Sequence, residues 1–243
     1  MIILKNKGDK IMDKYKKAPV VEVFESIQGE GPSIGKPSVF VRLYGCNLRC
    51  QFKGNACDTP YAVVSEIEKA PMVSSKHLMI RISQLQPKHI VWTGGEPLLY
   101  QEYIVETMKM LPHHTSEVET NGTISPIQEL ELYVNRFNIS PKLKSSNQEK
   151  GYNKKRINFK SLDDFIPSKC AFKFVLADKD KDLTVIIDLH NKYPEIEVYL
   201  MPEGMTREIV ISNSKIVIDA CLEFDFMFSP REHITIWNNS RGV

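Results

Sequence analysis

Three cysteines stand within twelve residues, at Cys46, Cys50 and Cys57, in the run Gly45-Cys46-Asn47-Leu48-Arg49-Cys50-Gln51-Phe52-Lys53-Gly54-Asn55-Ala56-Cys57-Asp58-Thr59. Thiolate is a soft ligand that selects zinc, copper(I) or iron–sulfur clusters, and three of them this close converge on one centre if the loop wraps around it. A structural zinc ion wants a fourth ligand, and no Cys or His stands at finger-like spacing nearby. Three ligands instead leave an open coordination position, which is where chemistry happens. Spacing alone leaves three readings open: an open iron–sulfur site, a zinc site completed by a distant His, and free thiols. The chain has five cysteines, an odd number that excludes a complete intramolecular disulfide framework. In a reducing compartment a tight cluster is metal-binding or catalytic, whereas the isolated Cys170 and Cys221 read as small buried hydrophobes.

The elements that must position such a loop are short strand-like runs, β-branched or aromatic-rich and bounded by Gly, Pro, Asn or Asp. They are Val20 to Phe24, Ser38 to Tyr44, His89 to Thr93, Glu117 to Thr120, Phe137 to Ser140, Ala171 to Leu176 and Glu197 to Met201. Between several of them lie helical patterns. Tyr100 to Leu111 sets Ile104, Met108 and Leu111 on one face, and Asp180 to Tyr193 does so with Leu183, Ile186, Ile187 and His190. Thr206 to Cys221 offers Ile209, Val210, Val217 and Cys221 to a core. Alternation of strands and helices predicts an α/β fold with a mainly parallel sheet. The polar, Lys/Asn-rich stretch from Lys142 to Lys160 is expected to be a solvated loop inside one domain, residues 18–243, after a lead-in over residues 1–17.

Parallel α/β sheets place ligands at the C-terminal ends of their strands. Here Gly45-Cys46, Gly94-Gly95-Glu96, Asn121-Gly122, Pro141-Lys142 and Met201-Pro202-Glu203-Gly204 each follow a strand, so one pocket on one rim collects them. The net charge of +2, from 32 basic and 30 acidic residues, gives no electrostatic reason to expect nucleic acid as the partner. A small-molecule substrate fits better. No apolar stretch is long enough for a membrane span, and the N-terminal residues lack the apolar segment of a signal peptide, so a cytoplasmic protein is expected.

Several runs together resemble the 7-carboxy-7-deazaguanine synthase family of radical S-adenosylmethionine enzymes. They are Glu25-Ser26-Ile27-Gln28-Gly29-Glu30-Gly31, Gly35-Lys36-Pro37, Phe40-Val41-Arg42-Leu43 and Gly45 to Cys50. Thr93-Gly94-Gly95-Glu96-Pro97 resembles the Gly-Gly-Glu-Pro of the wider superfamily, and Glu119-Thr120-Asn121-Gly122, Ser140-Pro141-Lys142, Phe172-Lys173-Phe174-Val175 and Trp237 to Val243 also look like the family. The likeness runs from about Val20 to the last residue. One departure stands out: six residues separate Cys50 from Cys57 where the family has two. Asp58-Thr59 follows the last cysteine as the family requires, so Cys57 is the natural third ligand. The aromatic residue expected before that cysteine, beside the adenine, is Ala56, and Phe52 substitutes for it or the contact is lost.

The resemblance implies a partial, incomplete TIM-like barrel with the radical S-adenosylmethionine core. It implies that Cys46, Cys50 and Cys57 hold a 4Fe–4S cluster whose fourth iron takes the amino and carboxylate groups of S-adenosylmethionine. Around that cofactor it places Ala56, Cys57, Asp58, Gly95, Ser140, Pro141, Lys142, Met201, Pro202, Glu203 and Gly204. Gly94 and Gly95 are then glycine so that backbone can approach the methionine amino group. The implied substrate is 6-carboxy-5,6,7,8-tetrahydropterin, with Ile27, Gln28, Gly29 and Glu30 on the pterin edge, Arg42 on the carboxylate, Thr93 in the same pocket and the end of the chain at Val243 reaching it. Mg²⁺ on the Thr59 hydroxyl, a homodimer and a one-electron donor such as a flavodoxin also follow from the family. The reaction expected is hydrogen abstraction, ring contraction and loss of ammonia to give 7-carboxy-7-deazaguanine. Two rivals remain: a radical enzyme that activates a partner protein, and a structural zinc protein. Glu96 reads as a nearby acceptor or a solvated loop carboxylate, and His233, in a strand-like run, as structural.

Overall fold

Nine strands form one sheet whose two edges do not meet. The computed structural model describes residues 14–52, 55–57, 59–63, 70–146, 155–238 and 240–243, without the side chains of residues 52, 55 and 56. Much of the lead-in expected over residues 1–17 lies outside them.

The long β1 (Lys17–Ile27) runs antiparallel to β2 (Pro37–Leu43) and, on its other side, to β5 (Met72–Ser74). From β2 onward every step is parallel: β6 (His89–Gly94), β7 (Thr115–Thr120), β8 (Arg136–Ile139), β9 (Cys170–Leu176), β10 (Glu197–Pro202) and β11 (Met227–Phe228). Two further strands, β3 (Gln51–Phe52) and β4 (Asn55–Ala56), form a hairpin apart from the main sheet. The helices are the crossovers that parallel pairing requires. They are α1 (Ser75–Ser83), α2 (Gln101–Lys109), α3 (Gln128–Tyr133), α4 (Phe159–Leu162), α5 (Lys179–Lys192) and α6 (Arg207–Phe224), and the short α7 (Glu232–Trp237) follows β11. The result is an α/β fold with a mainly parallel, unclosed sheet, an incomplete barrel.

Local chemistry sets several boundaries. The side chains of Ser74, Asp178 and Thr206 accept hydrogen bonds from the backbone N–H groups of His77, Lys181 and Ile209, capping α1, α5 and α6. Along the strands, residues alternate between two environments. Leu43, Trp92, Val118, Phe137, Ile139, Phe172, Phe174 and Leu200 point outward and join one contiguous core under the helices. Their neighbours Arg42, Thr93, Glu119, Asn138, Lys173 and Met201 point the other way, into the curve of the sheet.

Three sequence expectations need correction. Ile209 does not enter the core; it is 45% exposed, while Val210, Val217 and Cys221 are buried. His233 lies on a helix, α7, rather than in a strand. The expected loop over Lys142 to Lys160 holds a 3-10 turn at Lys144–Ser146 and the start of α4, whose N-cap is the Asn158 side chain.

Candidate active site

The inward-facing residues surround a cavity of about 260 Å³ at the C-terminal ends of the parallel strands. Cys46, Cys50 and Cys57 all line it, and none is in a disulfide. The hairpin explains how the wider cysteine spacing is accommodated. Gln51 pairs with Ala56 and Phe52 with Asn55, and below them the Cys57 N–H donates to the Cys50 carbonyl at 3.2 Å. The pairs Gln51–Phe52 and Asn55–Ala56 therefore run side by side, and the two cysteines meet at their base. The backbone N–H of Leu48 points at the Cys46 sulfur at 3.4 Å. Burial pushes the Cys46 thiol up, and that N–H works in the opposite direction. Among the described residues, no three His, Cys, Asp or Glu side chains are grouped as ligands of a single ion. Three cysteines lining one cavity, none in a disulfide, are the donor chemistry an iron–sulfur cluster takes.

The loop after β6 fixes the start of the cysteine segment. Gly94 has φ +131, and a Cβ there would sit 2.0 Å from the Leu43 carbonyl oxygen; a Cβ on Gly95 would sit 2.0 Å from that of Gly45. The Gly95 and Glu96 N–H groups donate to those same carbonyls, at 3.1 and 2.8 Å. Both glycines are thus demanded by contact with the end of β2, a tighter constraint than the approach of a ligand. Glu96 is fully buried and accepts from the Leu98 N–H, the Thr120 hydroxyl and the Asn121 N–H at 3.0, 2.7 and 2.7 Å. Burial raises its pKa, against the pull of those donors. It is neither solvated nor turned to the cavity; it ties the β6 loop to the β7 loop. Asn121 passes the tie on, donating to the Asn47 amide oxygen at 2.9 Å.

Opposite the cysteines the cavity wall is ionic. Lys173, 3% exposed, stands 3.0 Å from both Glu30 and Glu119, and Arg231 donates to Glu30 at 2.9 Å. His233 closes on the same carboxylate at 3.8 Å. Burial alone would raise Glu30, but Lys173, Arg231 and His233 outweigh it and hold the carboxyl well below the usual range. Burial alone would lower Lys173, but Glu119 and Glu30 hold it above its ordinary value. Beneath them, Gln28 donates to Glu117 and, at 3.4 Å, to Glu119. Glu117 also accepts from Ser33 at 2.6 Å and lies 3.4 Å from His89. Burial pushes Glu117 up, yet the His89, Ser33 and Gln28 contacts prevail and bring it down to about 2.

A second ionic group closes the mouth. Arg42 donates from Nε to Glu22 at 2.6 Å, and the Tyr61 hydroxyl donates to the same oxygen at 3.3 Å. The Arg241 guanidinium lies 3.7 Å from the Tyr61 ring centroid and 3.8 Å from Glu22. Residues 240–243 line the cavity beside this group.

Comparison with known proteins decides the family. A 7-carboxy-7-deazaguanine synthase of Pyrobaculum aerophilum is 33% identical over 235 residues, covering 92% of this chain and 96% of its own. That of Halobacterium salinarum is 34% identical over 91% of both chains, and that of Clostridium acetobutylicum 34% identical over 92% of this chain and 98% of its own. The chain belongs to the 7-carboxy-7-deazaguanine synthase family. No family model matches it. The crystal structure of QueE from Escherichia coli superposes with a TM-score of 0.68 at 19% identity, over 93% of this chain and 98% of the other, which supports the fold.

Of the residues that the 7-carboxy-7-deazaguanine synthase resemblance nominated, Ile27, Gln28, Gly29, Glu30, Arg42, Thr93 and Val243 line the one cavity. Cys46, Cys50, Cys57, Thr59, Gly95, Ser140, Lys142 and Met201 line it too. Pro141, Pro202, Glu203 and Gly204 are not on its wall; the Gly204 carbonyl instead accepts from Arg231 at 2.8 Å. Asp58 and the Ala56 side chain lie outside the described residues. Sequence reasoning gave no role to Glu22, Tyr61, Glu119, Asn138, Lys173, Arg231 or Arg241, and it set His233 aside. The available signal was the two-residue alternation of the strands: in Cys170–Leu176 the polar Lys173 interrupts an apolar run at an inward position.

Proposed function

We propose that the chain is a radical S-adenosylmethionine enzyme that contracts 6-carboxy-5,6,7,8-tetrahydropterin to 7-carboxy-7-deazaguanine with loss of ammonia, in 7-deazapurine (queuosine-type) biosynthesis. Family membership carries the reaction, and one observation carries its location: a single cavity joins the three cysteines, none in a disulfide, to a row of paired ions. Cys46, Cys50 and Cys57 would hold the 4Fe–4S cluster, with Gly95, Ser140, Lys142 and Met201 bordering S-adenosylmethionine. Bound together, these groups supply the one-electron cleavage of the sulfonium that begins hydrogen abstraction.

The chain's own residues bind and orient the pterin. Arg42 is held through Nε by Glu22, which leaves its terminal nitrogens for the substrate carboxylate. Glu30 and Glu119, each paired with Lys173, accept from amino nitrogens of the heterocycle. Thr93 fixes one Glu119 oxygen at 2.8 Å, so that carboxylate cannot rotate away. Residues 240–243, lining the cavity, help to exclude water from the reacting centre. Mg²⁺ on the Thr59 hydroxyl belongs to the same reading: that residue lines the cavity two positions after Cys57, and a hard cation with few protein ligands suits it.

Among the described residues no helix is long and apolar enough to cross a membrane, in keeping with a cytoplasmic enzyme fed by a one-electron donor such as a flavodoxin. A homodimer is supported by the exposed stripe Ile211, Ile218 and Leu222 on α6. Anaerobic reconstitution with iron and sulfide tests the whole, followed by incubation with S-adenosylmethionine, reductant, Mg²⁺ and the carboxytetrahydropterin. Mass spectrometry should find 7-carboxy-7-deazaguanine, lost in Cys57→Ala. A cluster-loaded protein that yields 5′-deoxyadenosine and no deazaguanine would retain the radical chemistry and overturn the substrate.

A further inference from the structure

Asn138 is completely buried and lines the cavity, yet neither its amide oxygen nor its amide nitrogen has a hydrogen-bond partner among the described residues. A buried amide left without partners is unfavourable, and folded chains rarely retain one without a use for it. Other buried polar atoms without partners occur on Ser26, Trp92, Tyr103 and His114, but none of those residues lines this cavity. Strand alternation aims Asn138 inward, because Phe137 and Ile139 on either side belong to the outer core.

Its neighbours do not need it. Across the sheet Asn138 is flanked by Glu119 and Ala171. The Glu119 oxygens already accept from Thr93 at 2.8 Å, Lys173 at 3.0 Å and Gln28 at 3.4 Å. Ala171 offers no polar side chain. What Asn138 continues is a row: Arg42 pairs in register with Thr93, Thr93 donates to Glu119, and Glu119 pairs in register with Asn138. In the function proposed above Arg42 and Glu119 face the pterin, and Thr93 holds Glu119 in place.

We propose that Asn138 is a further substrate contact, its amide reading a donor–acceptor edge of the bound heterocycle. This rests on that function and deepens it. An amide presents one acceptor and two donors in a plane, the complement of a ring lactam or an amino-substituted ring nitrogen. A site built to hydrogen-bond such an edge discriminates against analogues that lack it, since its own buried groups are then left unpaired.

The test uses the reconstituted enzyme and the nearly isosteric Asn138→Leu. Without ligands, the melting temperature of the variant is expected to equal or exceed that of wild type, because an unpaired amide has been removed. Its Kd for S-adenosylmethionine stays within about twofold of wild type, its KM for the pterin rises about tenfold or more, and the thermal shift on adding pterin is lost. An unchanged pterin KM overturns the proposal, as does a raised Kd for S-adenosylmethionine with the pterin KM intact. Failure of both Asn138→Leu and Asn138→Ala to fold overturns it too, since the amide would then be structural. Wild-type enzyme that makes no deazaguanine sinks this inference together with the function beneath it; active wild type beside a variant of unaltered KM sinks this inference alone.

Discussion

The two faces of the same strands obey different rules. On the outer face Trp92, Val118, Phe137, Phe172 and Leu200 are wholly buried among apolar neighbours, and any well-packed side chain of similar volume would serve there. On the inner face Arg42, Thr93, Glu119 and Lys173 are each tied by a directed contact to a particular partner. The outer face stabilises by area, which is non-directional and tolerant. The inner face stabilises only when every charge keeps its partner, because a stranded buried ion is costly. A single backbone carries both because successive residues point to opposite sides.

The sharpest way to break this contrast is at its outer extreme. Phe172→Ala removes a fully buried ring that packs near Phe174 and Tyr193, and should lower stability by about 3–5 kcal/mol in denaturant unfolding. The pterin KM of the folded fraction should not move. A shifted KM would show that the faces are coupled.

Next comes the buried carboxylate Glu117. Its pKa falls from 4.5 to about 2 in the folded chain, so the unfolded state binds more protons between those values. Stability therefore rises with pH through that window. A contribution of about 3 kcal/mol is in full force above pH 4.5 and is lost as pH falls towards 2. Urea unfolding of wild type between pH 5 and pH 2 should show this slope, and Glu117→Gln should flatten it.

Thr93→Val keeps the shape and deletes one donor to Glu119. A loss of about 1–2 kcal/mol is expected, together with a raised pterin KM. Stability loss without a kinetic effect would assign Thr93 to the scaffold. Smallest is Arg241→Gln at the half-exposed mouth, where an exposed ion pair and a ring contact together contribute about 1 kcal/mol or less. The global unfolding midpoint should stay close to wild type while cleavage by a C-terminal exopeptidase accelerates.

Much of this arrangement is legible in the sequence. The parallel strands from Ser38 to Met201 announced themselves by β-branched runs between turn residues, and motifs at their ends led to the cavity, whereas the short Gln51–Phe52, Asn55–Ala56 and Met72–Ser74 gave no such signal. What stayed hidden was register. A lysine inside Cys170–Leu176 or an asparagine inside Arg136–Ile139 does not say which residue stands beside it on the next strand, and pairing across the sheet is what makes Lys173 a bridge and Asn138 a neighbour of Glu119. His233 misled for a different reason. His233 to Ile236 alternates polar and apolar residues as a strand would, but the segment winds into about a turn and a half of helix against Gly29. Gly94 and Gly95 were given the right importance for an incomplete reason, because the carbonyls they approach come from a strand far away in sequence.

The β3–β4 hairpin separates two quantities that a motif search treats as one, the contour length of chain between two ligands and the distance between their ends. From Cys50 the chain leaves along Gln51–Phe52 and returns along Asn55–Ala56, and the backbone bond at its base closes the excursion. Residues added or deleted in pairs at the far end would change the first quantity and leave the second alone. Spacing between cysteines in such a loop is then free to drift, provided each insertion closes on itself before the next thiol.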